Sequence, residues 1–142
     1  FVIGGGSSGH SRAVLIAGGT GVSPFLPFLS GLEHGGVNGV AVDLHYGVRE
    51  NGMTIKRQLL QRLALVGKLN LSYSVQESDP EPFDKAINIR GSLDIDKIFN
   101  GLQWNESVVF YISGPPGMIQ AFSARLKAFG VAEECVKIDE WE

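Results

Sequence analysis

Apolar residues along this chain fall into two alternating rhythms: short continuous runs, and longer stretches in which they recur every three or four positions. The continuous runs, near 13–17, 40–47, 69–76, 107–113 and 135–139, read as strands. The helical rhythm places helices near 22–33, 53–66 and 116–129, with Val22, Phe25, Leu26, Leu29 and Leu32 on the stripe of the first. Met118, Ile119, Phe122, Leu126 and Phe129 form the stripe of the third, which Gly130 ends. Such alternation predicts an α/β fold in which right-handed crossovers lay helices on both faces of a parallel sheet. Residues 77–105 are less regular: Asp79-Pro80-Glu81-Pro82 reads as a loop and Leu93 to Phe99 as a short helix.

At two places a strand gives way to a helix through glycine. Ala13-Val14-Leu15-Ile16 runs into AGGTGVSP, Ala17 to Pro24, which holds Gly18, Gly19 and Gly21 within four residues and Pro24 where a first helical turn tolerates proline. Backbone N–H groups at a helix start lack internal partners, and glycine lets an anion approach them, so this segment has the chemistry of a phosphate cradle. It has neither the GxGxxG spacing nor a following Lys-Ser/Thr, which disfavours a P-loop hydrolase. Taken alone, the same segment also suits a tight turn that binds nothing. The second junction, Tyr111 to Met118 (YISGPPGM), repeats the order of strand, glycine-rich turn and helix. In a doubly wound sheet, two such turns on neighbouring strands form the two lips of one crevice beyond the strands' carboxyl ends.

Composition narrows the class. A chain of 142 residues with 44% hydrophobic content supports one core, and its 19 glycines lie largely in turns. Twelve basic against fifteen acidic residues leave a net charge of −3, which provides no field for nucleic acid or an anionic membrane. Lys56, Arg57 and Arg62, together on the second helix, read as a solvated face. Cys135 is the one cysteine, so there is no internal disulfide and no four-thiolate iron–sulfur cluster; it reads as a small hydrophobe at the start of the last strand. His10, His34 and His45 lack ligand spacing, and no Ser-His-Asp constellation is evident. No apolar run approaches the roughly 20 residues of a membrane-spanning helix.

AGGTGVSPF, then LHYGVRE, then YISGPPGM, and finally KIDEWE resemble, in order and spacing, the NAD(P)-binding domain of the ferredoxin-NADP reductase superfamily. The resemblance implies a doubly wound five-stranded parallel sheet of order 3-2-1-4-5. It also implies a partner: such reductases carry an N-terminal flavin-binding barrel, and hydride passes between NAD(P)H and flavin. Phe1-Val2-Ile3 looks like the tail of that barrel's last strand, and Gly4 to Ser11 like the interdomain link. Residues 1–12 are then the end of the flavin domain and the linker, and 13–142 the nucleotide domain, a piece of a larger reductase.

By the same resemblance Gly19, Thr20 and Gly21 hold the pyrophosphate and nicotinamide side, and with Gly18 they face Ser113, Gly114 and Pro115, where Pro115 and Pro116 stiffen the turn. Thr20 donates to a phosphate oxygen or caps the helix. Ser113 stands where many relatives have a cysteine beside the nicotinamide; hydride transfer between two rings needs alignment rather than a nucleophile, so serine lines that wall. Met118 approaches the adenosine or pyrophosphate region, or begins the core stripe. Gly47-Val48-Arg49 resembles the family's Gly-x-Arg, with Arg49 on adenine or a phosphate. At the end of the third strand relatives that use NADP often place Ser-Arg, where this chain has Gln76-Glu77; a carboxylate repels a 2′-phosphate and accepts from ribose hydroxyls, which favours NAD(H) over NADP(H). Trp141 matches the near-terminal aromatic that covers flavin, with packing on the sheet edge as the alternative.

The function these residues imply is the nucleotide half of a flavin-dependent NAD(P)H oxidoreductase, with FAD in the absent domain. Electrons would go on to an acceptor that could be iron–sulfur, haem, ferric chelate or quinone. A non-catalytic nucleotide-sensing module is the reading from another class. Either is expected in the cytoplasm, or on the cytosolic face of a membrane-attached parent.

Overall fold

A computed structural model of the chain describes residues 12–35, 39–103 and 107–140. Within them one sheet contains six strands in the order β4-β3-β2-β1-β5-β6, all neighbours parallel. The strands are β1 Arg12–Gly18, β2 Ala41–Val48, β3 Asn70–Val75, β4 Ile87–Arg90, β5 Val108–Gly114 and β6 Val136–Glu140. The helices are α1 Leu26–Leu32, α2 Arg57–Leu65, α3 Ile95–Asn100 and α4 Pro116–Ala128. β1 lies at the centre and buries both faces, which is why its sequence is continuously apolar rather than alternating. Leu15, Tyr46 and Tyr73 pack on one face with Phe25, Leu29, Leu60 and Leu63. Val14, Ile16, Phe110 and Ile112 pack on the other with Ile95, Ile98, Ile119 and Leu126.

The sheet differs from the expected five strands by one. β4 adds to the outer side of β3, with Ser72 opposite Ile87 and Val75 opposite Arg90. The remaining five keep the expected sequence of neighbours, 3-2-1 followed by the last two strands. Crossing from β3 to β4 is a loop rather than a helix. It is pinned by Asn88, whose Nδ2 donates to the Phe83 carbonyl at 3.0 Å while its Oδ1 accepts from the Phe83 N–H at 2.9 Å.

Two helices also differ. The first, expected over 22–33, is a 3-10 helix over Gly19–Phe25 followed by α1, with Pro24 inside the former and Pro27 in the first turn of the latter. The second, expected over 53–66, begins only at Arg57, because Lys56 takes a left-handed backbone (φ 55°) and the Ile55 N–H donates to the Tyr46 hydroxyl at 2.9 Å. Nor is its basic face simply solvated. The Arg57 guanidinium lies 4.0 Å from the Phe83 ring centre and donates to the carbonyls of Glu81 and Pro82, while Arg62 pairs with Glu33 at 2.7 Å. α3 is capped by Asp94, whose side chain accepts from the Asp96 and Lys97 N–H groups. Cys135 closes a short 3-10 turn immediately before β6.

A cavity of 1070 Å³ opens between the face of β2, β3 and β4 and the flank of α3 and α4, lined among others by Asp43, His45, Ser72, Ile87, Ile98 and Phe122. Burial lowers the His45 pKa from its ordinary 6.5, with the neighbouring Asp43 carboxylate opposing. On acidification below pH 6.5 this imidazole therefore takes up the proton in the unfolded chain before it does in the native one. Its contribution is complete above that pH and is lost on acidification toward the native pKa. Melting temperature should fall as pH drops below 6.5 in the wild type and stay flatter in His45→Gln; parallel curves would remove His45 as the cause.

Among the described residues no helix is long and apolar enough to cross a membrane. Residues 1–11, read above as barrel tail and linker, and Trp141 lie outside the described residues; Arg12 belongs to β1.

Candidate functional site

The ends of β1 and β5 lie side by side, with Ala17 opposite Ser113, and the two glycine turns leave the sheet there in contact with each other. Each glycine has its own reason. A Cβ on Gly21 would stand 2.6 Å from the Ser113 carbonyl carbon and 2.9 Å from the Gly114 Cα, so the 3-10 helix rests directly on the backbone of β5. A Cβ on Gly18 would meet Met118 Sδ at 2.8 Å and Pro115 Cδ at 3.5 Å. One on Gly114 would meet Met118 Cε at 2.8 Å and the Gly18 nitrogen at 3.4 Å. Met118 thus lies against both turns and also packs on the core of the second face, the core role its helical position suggested.

Gly19 is different. Its φ of +59° is left-handed, and a Cβ there would meet nothing within 4 Å. With no side chain and a left-handed φ, its backbone faces open space at the start of the 3-10 helix. Thr20 is exposed beside it. It caps nothing: the capping position is Gly18, and no side chain bonds this helix end. Across the crevice Pro115 and Pro116 are exposed, whereas Ser113 is fully buried beneath Gly21. β6 brings Glu140 opposite Gly114 in the strand register, so its end also reaches this edge.

On the other flank, Arg49 and Glu77 follow β2 and β3 and form an ion pair, Nε to Oε2 3.0 Å. The strand pairing continues to them, since the Glu77 N–H donates to the Arg49 carbonyl at 3.0 Å. Two residues read separately, one favouring each dinucleotide, are therefore one charged unit. Gly47 serves the packing here: a Cβ would meet Leu93 Cγ at 2.6 Å. Leu93, which seats on that glycine from the turn between β4 and α3, has no local signal for this contact, since its partner lies 46 residues away in the sequence.

The crevice is separate from the 1070 Å³ cavity, whose lining includes none of Gly18–Gly21 or Ser113–Met118. The ends of β1, β2, β3 and β5 thus carry a left-handed glycine facing open space, two glycine turns in contact, and an exposed ion pair.

Residues 15–124 match the family model described as the oxidoreductase NAD-binding domain. No curated protein matches the chain. Among solved structures, the cytochrome b5 reductase domain of Ulva prolifera nitrate reductase is similar at 23% identity and TM-score 0.72, over 93% of this chain and 49% of that one. The CS-b5R domains of human Ncb5or in the NAD+ form are similar at 18% identity and TM-score 0.75, over 91% and 36%. Ferredoxin-NADP+ reductase from Plasmodium falciparum gives 18% and 0.68, over 92% and 53%. At these identities the likeness establishes the fold, and the chain spans between about a third and a half of the length of these structures.

Proposed function

This chain belongs to the oxidoreductase NAD-binding domain family, and on that premise we propose that it is the nicotinamide-nucleotide half of a flavin-dependent reductase, with NADH preferred. The observation that carries the reading is the contact of the two glycine turns at Gly18, Gly21 and Gly114, beside which Gly19 takes a left-handed backbone that faces open space. Gly19, Thr20 and Gly21 hold the pyrophosphate through backbone N–H groups and the Thr20 hydroxyl. Gly114, Pro115 and Pro116 form the opposite wall, and Met118 fixes the spacing of the two lips. Buried Ser113 supports that wall from below. Arg49 and Glu77 face the adenosine ribose, where Glu77 accepts from its hydroxyls and disfavours a 2′-phosphate.

The nicotinamide, when bound, supplies hydride; the protein's part is to orient it. The flavin that receives the hydride, as FAD, belongs to a further domain like those of the reductases the fold resembles, and Trp141 is assigned to the contact with it. The comparison structures include a protein in its NAD+ form and a ferredoxin-NADP+ reductase, so the choice of dinucleotide rests on Glu77 rather than on fold.

Calorimetric titration of the chain with NADH, NADPH and ADP-ribose tests this. NADH is expected to bind more tightly than NADPH, and ADP-ribose to retain much of the affinity of NADH, because pyrophosphate and adenosine make most of the contacts. Preference for NADPH would reverse the role given to Glu77. Absence of binding by all three at millimolar concentration would refute the reading for this chain.

A further inference from the structure

Asn51 begins a single 3-10 turn, Asn51–Met53, just past β2, and its carboxamide is bonded at both ends. Nδ2 donates to the Asp79 carbonyl at 2.9 Å and to Ser78 Oγ at 3.3 Å. Oδ1 accepts from the Glu81 backbone N–H at 2.8 Å and from the Tyr73 hydroxyl at 3.1 Å. All four partners belong to β3 or to the loop that follows it, so one side chain from the β2 loop ties down the whole start of the β3 loop. The anchor is rigid. Tyr73 is fully buried, its ring set edge-on to Phe83 at 4.9 Å and to Tyr46 at 6.1 Å, and its hydroxyl also bonds Thr54 Oγ1.

This staple lies just beyond the charged rim, and extends the ladder that already joins the Glu77 N–H to the Arg49 carbonyl. Arg49 stands two residues before Asn51, and Glu77 stands immediately before Ser78. Their side chains are 62% and 50% exposed, and an exposed pair of long side chains does not fix its own geometry, because water screens it and rotamer entropy opposes it. The geometry has to come from the backbones beneath.

We propose that Asn51 is a positioning residue for dinucleotide choice. It locks the loop after β2 to the loop after β3, and so holds Arg49 and Glu77 in the paired arrangement that distinguishes a ribose 2′-hydroxyl from a 2′-phosphate. The inference rests on the dinucleotide reading above. Discrimination of this kind depends on preorganised groups; a loosened rim lets Arg49 swing to a phosphate and Glu77 away from it, and the two ligands converge in affinity.

The test is the ratio of NADPH to NADH dissociation constants in the wild type, Asn51→Ala and Asn51→Asp. Asn51→Ala is expected to bring the ratio toward one by about fivefold, the effect of one ordinary hydrogen bond on an equilibrium. Asn51→Asp keeps both acceptor bonds but sets a carboxylate oxygen against the Asp79 carbonyl and adds charge at the rim, so its ratio is read against that of Asn51→Ala at high salt, where the charge effect shrinks. A merely structural role would lower the melting temperature and weaken both ligands alike, so an unchanged ratio in a folded Asn51→Ala protein overturns the proposal. Should that variant not fold, Asn51→Ser removes the bonds to Asp79 and Glu81 with a smaller loss of polar side chain, and its ratio is judged by the same criterion. If the wild type binds neither dinucleotide, the dinucleotide reading itself falls, and this inference with it.

Discussion

Gly21→Ala is expected to lower the melting temperature by roughly 10 °C and to abolish measurable dinucleotide binding. The reason is geometric: the added methyl would stand 2.6 Å from the Ser113 carbonyl carbon and 2.9 Å from the Gly114 Cα, and both are backbone atoms that no rotamer change can move. The 3-10 helix must lift off β5 or β5 must shift inside a sheet where Ile112 and Tyr111 are already packed, an overpacking cost of about 3 kcal/mol. Lifting the helix also opens the crevice it lines. Gly19→Ala is the informative contrast. Its methyl meets no protein atom, so the stability cost is only the left-handed backbone, about 1 kcal/mol, yet the methyl projects into the space where the pyrophosphate would lie. Thermal melts and titrations of both variants separate the two effects. A Gly21→Ala protein that melts like the wild type would show that the two turns are not mechanically joined.

That joint explains how far the sequence could be read. The strand–glycine–helix junctions at Gly18 and Gly114 stand out because apolar periodicity changes from continuous to helical across them, and the sheet places them side by side as expected. The resemblance is borne out at the level of the family. β4 was passed over, although Ile87-Asn88-Ile89-Arg90 alternates and Gly91 follows it. Its isoleucines are exposed on the bare sheet face, and four residues beside a proline-rich loop carry little periodicity. The late start of α2 was not legible at all. It depends on the hydroxyls of Tyr46 and Tyr73, which reach from strands β2 and β3 to engage Ile55 and Thr54. The same holds for Arg57, whose cation sits over a phenylalanine from the β3–β4 loop. Local pattern shows which face of an element is apolar; it does not show which distant polar atom intercepts its end.

Glu77→Arg should shift preference from NADH toward NADPH by about thirtyfold in the ratio of dissociation constants. Glu77 now holds Arg49 Nε at 3.0 Å, so in the proposed site its carboxylate would both repel a 2′-phosphate and occupy the cation beside it. Arginine in its place exchanges repulsion for attraction and releases Arg49. At an exposed site each charge contact contributes about 1 kcal/mol, and the combined swing of roughly 2 kcal/mol corresponds to that ratio. Stability should hardly change, since both side chains are half or more exposed and such a pair contributes little to folding. Glu77→Gln removes the charge without supplying a cation, and should give about half of the shift on a logarithmic scale. Raising salt should shrink the gain for NADPH while leaving NADH affinity nearly constant, because only the phosphate contact gains from the new charge. A ratio within twofold of the wild type in Glu77→Arg would place the recognition of the ribose away from this pair, and would leave Arg49 and Glu77 as a surface ion pair closing the ends of β2 and β3.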